Sequence, residues 1–256
     1  MGRRICALAS EYPGLKLTGA FERETHPDVG RDVGEVAGEG AFEVMLARSL
    51  TSVVDAGDVV IEFSSPEATL ANMRIAADKG VGMVIGTTGM DKAGQAEIAG
   101  LAKRIPCVYA GNMSLGINLL LNVVGLVARS LGDDYDVEVI EAHHRMKKDA
   151  PSGTALMLAR AAAGALGRDL DADGVFERHG IIGERKPREI GVQTIRAGDI
   201  VGEHTVMFGG MGERIEITHR VSNRDTFARG ALKAALWLEG RKPGLYDMQD
   251  VLGLKG

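Results

Sequence analysis

Apolar and polar positions follow two different rhythms along this chain. Up to about residue 130, short runs of Val, Ile, Leu and Met alternate with longer Ala-rich stretches of mixed polarity. Short continuous apolar runs suit strands covered on both faces, and the longer mixed stretches suit helices. The pattern predicts strands at 15–21, 58–63, 82–85 and 106–109. It predicts helices at 66–79, within 88–104, and over 114–130. Pro66 marks a helix start, because proline at the first helical position forfeits no hydrogen bond. Ser114 is placed to cap the helix at 114–130. Strands alternating with helices need crossover connections, hence a mostly parallel sheet.

After Asp136 the rhythm changes. Residues 136–141 alternate polar and apolar, as a strand with one solvated face does. A helix is predicted at 154–166, then three more alternating runs at 192–196, 203–208 and 213–219. No helical stretch separates these three, which predicts an antiparallel arrangement. Residues 227–238 read as helix again. The fold class expected is α/β: a Rossmann-like dinucleotide-binding domain at 1–114 and 224–256, with an inserted α+β domain at 115–223.

Composition narrows the function. The chain has 256 residues, 45% of them hydrophobic, and a formal net charge of −5. A mildly acidic protein has no broad electrostatic reason to bind nucleic acid or an anionic membrane. The apolar runs read as falling short of the ~20 residues of a membrane helix. Two cysteines, Cys6 and Cys107, cannot build a disulfide framework, which points to a reducing, cytoplasmic setting.

Glu22 ends the first predicted strand, at the edge where open α/β sheets bind ligands. A carboxylate there can accept both hydroxyls of an adenosine ribose, and Arg23 beside it can meet a 2′-phosphate. Glu22 thus favours NADH and Arg23 permits NADPH; a solvated Glu-Arg pair is the plain alternative. In dinucleotide folds the acidic residue lies ~20 positions after the glycine turn, which counts back to Gly2. A full fingerprint has a strand and two further glycines before that point, and this sequence lacks them. The expectation is a weakened cofactor domain, since each buried unpaired amide costs ~1–3 kcal/mol. A version extended upstream by one strand and a glycine turn is expected to be more stable and to bind dinucleotide more tightly. Two further loops fit a nicotinamide cofactor. Gly86-Thr87-Thr88-Gly89 and Ala110-Gly111-Asn112-Met113 each follow a predicted strand and precede a helix. Either could be turn chemistry alone.

The densest chemistry is Glu141-Ala142-His143-His144-Arg145-Met146-Lys147-Lys148-Asp149-Ala150-Pro151-Ser152-Gly153-Thr154. Histidine transfers protons near neutral pH, and Lys147 supplies a fixed positive charge. Ser152, Gly153 and Thr154 open a helix, whose free amides suit a carboxylate. A polar loop with a Ser152 cap is the plain alternative. A metal site is not expected, because adjacent histidines on a strand point to opposite faces and no third ligand has an evident position. The whole reads as a site that binds an anion and moves a proton.

This stretch resembles the signature of the 4-hydroxy-tetrahydrodipicolinate reductase (dihydrodipicolinate reductase) family of bacterial lysine biosynthesis. Arg196-Ala197-Gly198-Asp199-Ile200-Val201-Gly202-Glu203-His204-Thr205 is similarly distinctive, and the likeness runs on through Phe63, Gly86-Thr87-Thr88-Gly89 and 247–252. The resemblance implies a two-domain NADH- or NADPH-dependent reductase acting on a small cyclic dicarboxylate, assembled as a homotetramer through the second domain's sheet. It implies His143 as proton donor/acceptor and Lys147 as proton donor, with His144, Gly153 and Thr154 holding the substrate. Glu22, Arg23, Gly86, Thr87, Thr88, Ala110, Gly111, Asn112 and Met113 would hold the cofactor. Two departures stand out: the family's N-terminal strand and Gly-rich loop are absent, and Met113 stands where an aromatic is usual. The rival readings are another two-domain dehydrogenase for an amino-acid-derived acid, and a truncated or non-catalytic paralogue that binds a dicarboxylate but holds cofactor poorly.

Overall fold

The computed structural model describes residues 1–255. The chain divides into two compact units, Met1–Leu115 with Asp225–Gly256, and Gly116–Arg224. The first unit opens with α1 (Gly2–Ala9), β1 (Ala20–Phe21), α2 (Val33–Ala37), β2 (Leu46–Ala47), β3 (Val59–Glu62), α3 (Pro66–Lys79), β4 (Gly82–Ile85), α4 (Lys92–Leu101) and β5 (Pro106–Tyr109). The second carries α5 (Leu115–Leu131), β6 (Asp136–His143), α6 (Gly153–Ala165), α7 (Leu170–Asp173), β7 (Gly174–Val175), β8 (Ile190–Arg196), β9 (Gly202–Gly209) and β10 (Arg214–Val221). The chain returns to the first unit with α8 (Asp225–Trp237), β11 (Gly244–Tyr246) and α9 (Met248–Val251).

In the first unit β3, β4, β5 and β11 form a parallel sheet in the order β11-β5-β4-β3. β4 is buried along its length, which is why its sequence is a continuous apolar run rather than an alternating one. α3 begins at Pro66; the Ser65 hydroxyl accepts from Ala68 N, and Gly80 closes the helix at φ 73°. Only glycine adopts that left-handed conformation without cost.

The strand expected at 15–21 is shorter in the structure. Only Ala20 and Phe21 pair, with Leu46 and Ala47, in a two-stranded ladder separate from the main sheet. The residues before them have no neighbouring strand among the described residues. Leu15 and Leu17 instead pack against Ile5, Leu8 and Ala9 of α1 and Ala228 and Leu232 of α8. β11 and α9 lay outside the expected elements; three strand residues carry too little periodicity to be seen in sequence alone.

α8 fits closely on the loop after β5. A Cβ on Gly230 would lie 1.8 Å from the Met113 carbonyl oxygen, a backbone atom that cannot swing aside. Gly230→Ala is therefore expected to destabilise the first unit by about 1–3 kcal/mol, the usual cost of overpacking. Thermal unfolding of the variant beside wild type checks this.

The second unit is a sheet in the order β10-β9-β6-β8-β7. The three runs after α6 do not form one antiparallel set. β9 and β10 are an antiparallel hairpin, but β8 pairs parallel to β6, and β6 lies between β8 and β9. The reason is α6, which carries the chain from β6 over the sheet and so delivers β8 in the same direction. Val137, Val139, Ile190, Val192, Val206 and Phe208 of the sheet pack on Leu158, Ala159, Ala162 and Ala163 of α6 and on Leu120, Val124 and Ala128 of α5. The small alanines let α6 lie close to the strands. The stretch Leu115–Asp134, 20 residues long, is long and apolar enough to cross a membrane by length and composition. That differs from the sequence expectation; Leu120, Val124 and Ala128 of this stretch pack in the core as just described, whereas Leu119 and Leu126 are exposed.

Candidate active site

Alternate side chains on a strand share a face, so Glu141 and His143 at the end of β6 point the same way. Glu141 is fully buried. His143 Nδ1 lies 2.5 Å from its Oε2, and Ser152 N donates to its Oε1 at 3.0 Å. Thr194 Oγ1 donates to Oε1 at 3.2 Å. Arg196 grips both oxygens, Nη1 to Oε2 and Nη2 to Oε1, each at 2.8 Å. The parallel register produces this cluster, since it sets Thr194 opposite Glu141 and Arg196 opposite His143. From the other side β9 sets His204 opposite Glu141. His204 is buried, with Nε2 3.1 Å from the Ser152 hydroxyl and its ring edge-on to His143 at 5.2 Å between centroids.

The electrostatics follow from burial and partners. Burial works to raise the Glu141 carboxyl, but Arg196, His143 and Ser152 N outweigh it and hold the group below its usual range. Burial pulls His143 below the ordinary histidine value; Glu141 opposes that shift, while Lys147 and Arg196 add to it. His204 is pushed down to about 4, by burial first and then by its neighbour His143. At neutral pH Glu141 is therefore a carboxylate and both imidazoles are neutral. An acceptor-only carboxylate against Nδ1 holds the His143 proton there, which leaves Nε2 as the basic nitrogen. A Cβ on Gly202 would come within 3.1 Å of that Nε2, so the glycine keeps the nitrogen uncovered.

The loop from β6 to α6 brings the other predicted residues beside this pair. Ser152 caps α6, its hydroxyl accepting from Ala155 N at 3.1 Å. Ser152 thus commits its amide to Glu141 and its hydroxyl to Ala155 and His204. Gly153 N makes no hydrogen bond among the described residues, and Gly153 is exposed. Thr154 follows it on the same first turn. Lys147 N donates to His144 O at 3.1 Å, and Lys147 Nζ pairs with Asp149 at 2.9 Å. His144 Nδ1 is buried without a partner among the described residues, a polar group that a ligand would satisfy. Sequence reasoning quoted Glu141, Arg196 and His204 but gave them no role. The i, i+2 spacing of Glu141 and His143 was a usable signal for the first; the other two depend on strand pairing.

The predicted cofactor residues lie at strand ends of the first unit. Glu22 and Arg23 follow β1. Glu22 Oε1 accepts Arg23 N at 2.9 Å, and Arg23 is exposed with no ion pair among the described residues. A cavity bounded by Gly2, Arg3, Cys6, Phe21, Glu22 and His26 opens beside them at the start of α1. A Cβ on Gly2 would meet nothing within 4 Å, so a ligand can approach the backbone closely there. These residues fit the adenosine end of a dinucleotide. Gly86 follows β4, and a Cβ there would strike the Phe63 ring at 2.2 Å, so this glycine serves packing as well. The Thr87 hydroxyl is buried and accepts from Thr69 Oγ1 at 2.8 Å, whereas Thr88 is exposed. After β5, Ala110 N extends the ladder to Ile85 O, and Asn112 Oδ1 accepts from Ser114 N at 2.8 Å. A Cβ on Gly111 would meet nothing. The Met113 side chain is in the core at 1% exposed, so only its backbone can face a cofactor.

Family models described as dihydrodipicolinate reductase N-terminus and C-terminus match residues 1–113 and 116–252. The chain is 51% identical over 255 residues to the 4-hydroxy-tetrahydrodipicolinate reductase of Syntrophus aciditrophicus, covering 100% of this chain and 95% of that one. It is 55% identical to the enzyme of that name from Hahella chejuensis, covering 100% and 96%. Among solved structures, a dipicolinate-bound dihydrodipicolinate reductase from Paenisporosarcina sp. TG-14 superposes with a TM-score of 0.75 at 22% identity, over 97% of this chain and 94% of that one. Family models over both units and relatives of 51% and 55% identity that cover the whole chain agree: the chain belongs to the dihydrodipicolinate reductase family and carries out the NAD(P)H-dependent reduction of 4-hydroxy-tetrahydrodipicolinate in the diaminopimelate route to lysine.

Proposed function

We propose that the loop between β6 and α6 is the substrate site, and that His143 and Lys147 do its chemistry. The observation that carries this is the Glu141–His143 contact at 2.5 Å, directly beside the first turn of α6. The substrate is a dianion. Its carboxylates would meet the Gly153 and Thr154 end of α6, the His144 ring and the Lys147 ammonium. The nicotinamide cofactor, when bound, supplies hydride. The reduction also consumes a proton and releases the substrate hydroxyl as water, so a proton must be delivered at the site. His143 Nε2 would take it up and return it, and Lys147 would be a second donor. Pyridine-2,6-dicarboxylate, a flat dianionic mimic of the ring, is expected to compete with substrate at this loop. Inhibition that substrate does not relieve would place the dicarboxylate site elsewhere.

Glu22, Arg23, Gly86, Thr87, Thr88 and 110–113 would hold the cofactor, Thr87 and Met113 through backbone only. The free oxygen of Glu22 would bind ribose hydroxyls, and the unpaired guanidinium of Arg23 would bind a 2′-phosphate, so the enzyme would use NADH and NADPH alike. Hydrogen bonds to charged groups contribute about 1.5–3 kcal/mol, roughly 10- to 100-fold in affinity. Glu22→Ala is expected to raise KM for NADH by that factor, and Arg23→Ala to raise KM for NADPH while sparing NADH. Steady-state kinetics with both nucleotides checks the split.

The assembly would be a homotetramer built on the second unit's sheet, where Ile195 is exposed; light scattering tests this. Cytoplasmic residence is supported by two free cysteines, Cys6 and Cys107.

A further inference from the structure

The Glu141 carboxylate touches both halves of the proposed site at once. Its Oε2 faces His143 Nδ1, and its Oε1 holds the amide of Ser152, the cap of α6. Arg196 spans both oxygens and also donates from Nη2 to Asp149 O at 2.6 Å, which ties the Lys147 loop to the same centre. A fully buried carboxylate needs most of its lone pairs satisfied, and here every partner belongs to the site or its frame. None of these bonds is required to close the hydrophobic core of the second unit, which lies along Val137, Val139, Val192 and Leu158.

We propose that Glu141, neutralised by Arg196, is a positioning residue that keeps the His143 proton on Nδ1 and so presents Nε2 as the proton-transferring atom. This rests on the substrate-site reading above. The consequence is chemical rather than merely steric. A neutral imidazole has one donor and one acceptor nitrogen, and the partner of one nitrogen decides the role of the other. With a carboxylate at Nδ1 the donor is there and the imidazolium formed during turnover is stabilised by a fixed negative charge. Arg196 keeps Glu141 ionised, because an unpaired carboxyl at this depth would be driven toward its neutral form. The other groups facing His143 are Lys147 from the loop and the neutral His204 from β9. Neither accepts from Nδ1, so neither can replace Glu141 in this role.

The experiment uses the intact protein with 15N-labelled histidine. In wild type, nitrogen NMR at neutral to mildly alkaline pH is expected to show His143 with a protonated Nδ1 and a bare Nε2, the signal being assigned by its loss in His143→Gln. Glu141→Gln leaves the Arg196 cation without its partner, and its carbonyl could still accept from Nδ1, so the deciding variant is the double one, Glu141→Met with Arg196→Met, which removes both charges and the acceptor while filling the buried volume. It is expected to fold, to shift the His143 proton toward Nε2, and to move the His143 limb of the pH–rate profile to lower pH. Its kcat should fall at least about tenfold, part of the ~10²–10⁴-fold that a positioned proton-transfer group supplies. A merely structural Glu141 would leave the proton on Nδ1 and the limb in place once the charges are balanced. A wild-type His143 protonated on Nε2 overturns the proposal with no variant needed. A folded double variant with wild-type tautomer, or with kcat within about twofold of wild type, overturns it as well. The nitrogen spectrum is read without turnover, so it separates this proposal from the substrate-site reading, which fails instead if His143→Gln keeps full activity.

Discussion

His143→Gln is expected to lower kcat by about 10²–10⁴-fold, the span attributed to general acid–base catalysis, with KM for substrate changed only a few-fold. Glutamine is the informative substitution because of what surrounds the ring. Glu141 is buried and needs a donor where Nδ1 now stands, and the glutamine amide can supply one. The cluster of Glu141, Arg196, Thr194 and Ser152 N therefore survives, and so does the start of α6 that would hold the dicarboxylate. What is lost is a group that can carry a proton. The pH dependence gives the same assignment a second check. Burial holds His143 below its ordinary value in the free enzyme. A dianionic substrate beside it favours the imidazolium and raises the value again. A protonated donor loses activity as pH rises through its pKa, so both profiles fall on that side. The limb in kcat/KM, which reports the free enzyme, should lie at lower pH than the limb in kcat, which reports the complex. Both limbs should disappear in His143→Gln. Unchanged turnover in the variant, or limbs in the reverse order, would remove His143 from the proton path.

Much of this was legible from residues alone, for identifiable reasons. α3 was readable because Pro66 marks its start with strong local chemistry, and β4 because a strand buried on both faces is apolar throughout. The loop at 141–154 was readable because so many polar groups in one short turn have little use in packing. The failures lie where local pattern does not carry the answer. The 15–19 segment has the composition of a strand but no neighbour to pair with among the described residues, and strand formation is a property of two segments. The direction of β8 depends on α6 crossing the sheet, which its own alternation cannot reveal. Arg196 and His204 lie 55 and 63 residues beyond Glu141 in sequence and reach it only through the register of β8 and β9. The burial of the Thr87 hydroxyl and the Met113 side chain depends on α3 and α8, so which atoms of those loops can face a cofactor is a tertiary fact.

Lys147→Ala is expected to lower kcat/KM by about 10²–10³-fold, with the loss shared between KM and kcat. Two effects act in the same direction. The first is the removal of a cation from a site for a dianion, and truncating one side of a hydrogen-bonded charge pair costs about 2–5 kcal/mol when the site closes over it. The second is what remains behind. Lys147 now pairs with Asp149 at 2.9 Å and holds that carboxyl below its usual range. Without the lysine, Asp149 presents an uncompensated negative charge to an incoming dicarboxylate. Asp149 is well exposed, so solvent screens this repulsion, and the direct loss of the ammonium is the larger share. The two contributions separate by a double variant. Lys147→Ala with Asp149→Asn removes the repulsion but not the missing donor, so it should recover part of the KM and little of the kcat. Lys147→Arg keeps the charge but replaces a compact ammonium with a planar fork that stays protonated. It is therefore expected to restore binding more than turnover. Competition by pyridine-2,6-dicarboxylate supplies the matching binding measurement, and its inhibition constant should rise in Lys147→Ala by about as much as the KM does. If the mimic binds the alanine variant as tightly as wild type, Lys147 does not contact the dicarboxylate and its place in the site is wrong.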